Sequence, residues 1–63
     1  MMWLLNLWHA HQRRIDLAIL WPSCRAEAPN LDVAKAAFAV HAFHDRAWLA
    51  LGDKLYETID GLK

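Results

Sequence analysis

The stretch Trp3-Leu4-Leu5-Asn6-Leu7-Trp8-His9-Ala10-His11-Gln12-Arg13-Arg14-Ile15-Asp16-Leu17-Ala18-Ile19-Leu20 contains neither glycine nor proline. Within it, Trp3, Leu4, Leu7, Trp8, His11, Ile15, Ala18 and Ile19 recur three and four residues apart, which is the spacing of one helical face. Asn6, His9, Arg13 and Asp16 fall largely on the opposite face, and Leu5, Leu17 and Leu20 widen the apolar arc. The pattern predicts an amphipathic helix over residues 3–20. No strand-like alternation runs for long anywhere else, and alanine and leucine dominate the composition, so the chain reads as all-α.

Working outward from this helix, Pro22 is expected to stop or kink it, because proline cannot donate to the carbonyl one turn back and its predecessor Trp21 is pushed away from helical geometry. A short second helix is expected over residues 22–28, closed by Pro29. Asn30 is a good N-cap for the next helix, and Asp32 sits in its first turn, where the helix dipole favours a negative charge. Residues 31–44 are the least polar part of the chain, with Lys35 the only strongly solvent-seeking side chain between Val33 and Val40. A helix this apolar is expected at the middle of a fold or a dimer. Asp45 either lies within one long helix or caps a new one over residues 46–51. Gly52 reads as a C-cap, Asp53 as an N-cap, and residues 54–60 as a last helix ended by Gly61. The expected architecture is a single domain, residues 1–63, of two main helices in a hairpin-like arrangement with two or three short ones.

Such a chain has trouble standing alone. At 63 residues it buries only about 60% of the surface its unfolded form exposes. The apolar part stabilises by on the order of 95 kcal/mol, and ordering the chain costs on the order of 95 kcal/mol. The single cysteine, Cys24, excludes an intrachain disulfide, which leaves a metal or a second chain as the missing stabiliser. Apolar residues nevertheless make up 57% of the sequence, where about 45–50% is usual on a similar count. Four tryptophans in so short a chain point the same way, since tryptophan is enriched where proteins meet. The reading is a homodimer, completed by the Trp3–Leu7–Trp8–His11–Ile15 face or the alanine-rich third helix. Trp48 joins Trp3, Leu7, Trp8, His11 and Ile15 as an expected contact residue.

Charge argues against other partners. Seven basic and seven acidic side chains balance, so there is no general electrostatic case for nucleic acid, which needs a basic stripe or patch. Arg13 and Arg14 are too few for a membrane-surface helix, which wants cations along its whole polar face; a membrane-surface role stays an alternative. The apolar start lacks the basic region and cleavage site of a leader, and the polar residues from His9 to Asp16 interrupt any span. The cytoplasm is the expected location.

Catalytic signatures are missing from the sequence, and neither an enzyme nor a cofactor is expected. Cys24 near a helix start is a conceivable nucleophile, but a small buried apolar role explains it more simply. The sharpest chemical feature is histidine. His41 and His44 share a helical face, so they and Asp45, or a first-helix histidine, form a candidate metal site. No specific zinc motif is matched, and ordinary boundary histidines are the plainer reading. His9 and His11 are two residues apart and cannot both reach one ion from a regular helix.

The run Leu20-Trp21-Pro22-Ser23-Cys24 resembles short uncharacterised proteins encoded by bacteriophages and prophages. So do residues 36–43, Ala-Ala-Phe-Ala-Val-His-Ala-Phe, and Ala47-Trp48-Leu49-Ala50-Leu51-Gly52 after Asp45. The resemblance implies a setting rather than an activity: small accessory phage proteins often act by binding and inhibiting a host protein, including host defence systems.

Overall fold

A computed structural model describes residues 2–63. Helix α1 (Met2–Ile15) passes into a π-helical turn (Asp16–Leu20) and then α2 (Trp21–Glu27) without a break. A tight bend at residues 28–30 leads to α3 (Leu31–Phe43), and two short helices follow, α4 (Arg46–Leu49) and α5 (Lys54–Asp60). The described residues contain no strand, so the chain is all-α, with two main helical stretches and two short helices.

Pro22 does not end the first helix. The turn ahead of it widens instead, so that the Trp21 amide reaches back five residues to the Asp16 carbonyl. A regular turn would drive the proline ring against the carbonyl four residues earlier, and the wider π turn relieves that crowding. Ser23 Oγ donates to the Ile19 carbonyl at 3.1 Å, four residues back across the proline. The π turn also changes which residues share a face. On a regular α-helix, residues five apart lie about 140° around the axis from one another. Here Asp16 and Trp21 are both buried, and the wide turn is what lets both point at the body of the protein.

Asn30 caps α3 as expected, its side chain accepting from the Val33 amide at 2.9 Å. Asn30→Ala is expected to cost about 1 kcal/mol, read as a fall of roughly 4–8 °C in the thermal midpoint of a domain this size. The long third helix breaks at Asp45, which leaves the helical region and caps α4 through the Ala47 amide at 2.8 Å. Gly52 adopts φ +60°, a left-handed conformation that favours glycine. Helix α5 has the expected span, although the Asp53 side chain makes no cap bond.

The core is a short aromatic stack. Phe38 lies edge-on to Trp21 (5.8 Å between ring centres) and to Trp48 (5.2 Å), an arrangement that suits the ring quadrupoles. Ala34 and Ala42, one turn either side of Phe38, let the neighbouring helices close in, and Leu55 of α5 seals the end. The C-terminus returns to this core, where Trp21 Nε1 donates to the Lys63 carbonyl at 3.3 Å. Only one side of α3 is enclosed, because Val33, Val40 and Phe43 remain exposed. Within one chain α3 is therefore not central, because the chain has too few elements to cover both of its sides.

Candidate functional site

Two features stand out against this fold. The first is the orientation of α1. His9, Gln12, Arg13 and Asp16 form the side that faces the protein, all of them partly or fully buried. Arg13 donates to the Ala47 carbonyl at 2.6 Å, which ties this polar face to α4. The apolar stripe points the other way. Trp3 is 63% exposed and Trp8 61%, and Leu4, Leu5 and Leu7 are each more than half exposed. Ile15 and Ile19 continue the stripe along the outside. His11 is exposed beside Trp8, with ring centres 6.1 Å apart. Trp3, Leu7, Trp8, His11 and Ile15, grouped as contact residues from their spacing, thus lie together on an open surface.

Trp48 does not belong with them. It is 1% exposed, packed on Phe38, with its indole N–H turned to Asp16. The break at Asp45 is the physical reason, since it swings α4 under α1 and carries Trp48 into the core.

The second feature is the polar cluster that Trp48 touches. Asp16 is 5% exposed. Its Oδ2 accepts from Trp48 Nε1 at 2.8 Å and lies 3.4 Å from His41 Nε2, and its Oδ1 accepts from Gln12 Nε2 at 3.2 Å. Asp45 Oδ2 lies 3.6 Å from the same His41 nitrogen. Asp16, His41 and Asp45 form the one such group of potential metal ligands among the described residues, with one ligand atom from each lying within 4.8 Å of the others.

His41 and Asp45, expected in such a group, are brought together, while His44, expected with them, lies outside it. Helix α3 ends at Phe43, and His44 leaves the helical region with φ −102° and ψ 0°. It is exposed, while Asp45 takes the place beside His41. Neither His9 nor His11 completes the set. His9 keeps its Nδ1 buried without a partner, and the first helix contributes Asp16 instead. The sequence carried a signal for Asp16, as the one acidic residue before Glu27, followed directly by the five apolar residues Leu17 to Trp21. Trp48→Phe removes the indole donor and leaves Asp16 short of a hydrogen bond in a buried place. The expected loss is about 1–3 kcal/mol, read from the midpoint of urea unfolding.

Cys24 is a free, half-buried thiol at the edge of the core. Among the described residues no helix is long and apolar enough to cross a membrane. Comparison with protein-family models, with curated proteins and with solved structures finds no match for this chain.

Proposed function

We propose that this chain is a non-enzymatic helical protein that works by protein–protein contact in the cytoplasm, as a homodimer joined through the outward stripe of α1. The observation that carries the reading is the inverted helix: α1 turns its polar side inward and its tryptophans outward. An amphipathic helix in an isolated soluble protein does the reverse.

The areas support a second chain. The structure exposes 4681 Å², about 500 Å² more than the roughly 4,200 Å² that a compact protein of this mass presents. Trp3 and Trp8 alone offer on the order of 300 Å². The leucines and isoleucines beside them bring the stripe toward the ~800 Å² that each partner contributes to a standard interface. Two copies lying stripe to stripe bury the same residues on both chains, as a twofold dimer requires. The α3 surface around Val33 and Val40 lacks large aromatic anchors and is the weaker contact.

The resemblance to phage-encoded proteins adds the second half of the proposal, in which the dimer binds and inhibits a host protein. Sedimentation equilibrium across the micromolar range tests the first half. A mass that moves from one chain to two with concentration is expected, and a single-chain mass throughout that range contradicts the dimer.

A further inference from the structure

The cluster of Asp16, His41 and Asp45 joins three elements that are far apart in sequence: the π turn, α3 and the cap of α4. We infer that these three side chains form a binding site for one divalent transition-metal ion, Zn²⁺ in the first instance, with a fourth position open to water or to a ligand from another molecule.

Spacing is the first argument. A tetrahedral zinc centre with ligands at about 2.0–2.1 Å holds them about 3.3–3.4 Å apart. His41 Nε2 lies 3.4 Å from Asp16 Oδ2 and 3.6 Å from Asp45 Oδ2. Small side-chain rotations bring the two carboxylate oxygens, within 4.8 Å of one another, onto the same shell. Calcium and magnesium fit less well, because they prefer all-oxygen shells and an imidazole nitrogen suits zinc and its neighbours.

Charge is the second argument and is independent of spacing. Asp16 is buried, and no lysine or arginine among the described residues pairs with it. Its other partners, the Gln12 amide and the Trp48 indole, are neutral donors. A buried carboxylate is costly unless it is paired, bound to a metal or protonated, and the one ion-pair partner in reach of Asp16 among the described residues is His41. A divalent ion held by His41 and Asp45 as well supplies that charge directly.

Preorganisation is the third. Trp48 Nε1 and Gln12 Nε2 fix Asp16, and the Ala47 amide holds Asp45 through Oδ1, which leaves Oδ2 free to ligate. Outer hydrogen bonds of this kind orient metal ligands. His41 stays 43% exposed on its side chain, so an ion has a path in.

The test is calorimetric titration of the full chain with ZnCl₂, with Co²⁺ absorption as the report on geometry. One ion per chain, an intense tetrahedral Co²⁺ spectrum and a raised melting temperature are expected. His41→Gln and Asp45→Asn should each weaken binding at least tenfold. His44→Gln should leave it unchanged, since His44 lies outside the cluster. Asp45→Asn keeps an oxygen for the helix cap, so it guards against a loss that merely reflects unfolding. No binding at submillimolar Zn²⁺, or equal binding by His41→Gln and the unaltered chain, overturns the site. Stoichiometry is counted per chain, so the result stands apart from whether the protein dimerises.

Discussion

Phe38→Ala is expected to leave the chain largely unfolded at 25 °C. Phe38 has no exposed surface and is the shared partner in both aromatic contacts of the core. Truncating a buried phenylalanine costs about 3–5 kcal/mol through lost burial and the cavity left behind. Each edge-on contact adds about 0.5–1.5 kcal/mol beyond area. A domain of this length has roughly 3–9 kcal/mol to lose, and one with an uncovered helix face belongs near the bottom of that range. Far-UV circular dichroism reads the result directly. A cooperative melt within a few degrees of the unaltered protein would mean that Phe38 is not the centre of the core. Phe38→Leu keeps most of the volume and is expected to fold with a lowered midpoint, which separates loss of packing from loss of the ring.

The second large effect concerns association rather than folding. Trp3→Ala and Trp8→Ala are each expected to weaken the proposed dimer by about a thousandfold, because each change removes two copies, one per chain, of an anchor that commonly carries about 2 kcal/mol or more. Together they remove four anchors from the dimer and are expected to weaken it further still if the two sites act independently, enough to give one-chain mass at micromolar concentration. Neither tryptophan touches the aromatic core, so the helical content of a single chain should be preserved. A double variant that still sediments as two chains would move the contact away from α1. Unaltered protein that binds anionic vesicles without pairing, with that binding lost in the double variant, would instead point to a membrane surface.

The all-α architecture was legible because it rests on local chemistry. Asn30 through its cap bond and Gly52 through its left-handed backbone punctuate helices locally, and those signals survive in a single sequence. Pro22 was misleading because its effect depends on whether the preceding turn can widen, a choice made by what Asp16 and Trp21 gain on the inside. The candidate site was half legible. His41 and Asp45 are four apart and close in sequence, but Asp16 joins them only through the packing of α1 over α4. Trp48 showed the limit of reading composition: tryptophans at interfaces and tryptophans in small cores look alike until the break at Asp45 decides which way α4 turns. The helix stripe itself was legible as a stripe. That it faces outward depends on Arg13 and Asp16 finding partners on α4, which no periodicity records.

The π turn has a consequence for the geometry of any partner. It lies between the tryptophan-bearing arm and the part of the helix that anchors in the core, so it sets the azimuth of one against the other. Each residue of an α-helix advances that angle by about 100°. The five residues Asp16–Leu20 therefore act as a dial: the body holds its packing through Trp21, while the setting of the dial determines the compass bearing at which Trp3 and Trp8 meet another molecule.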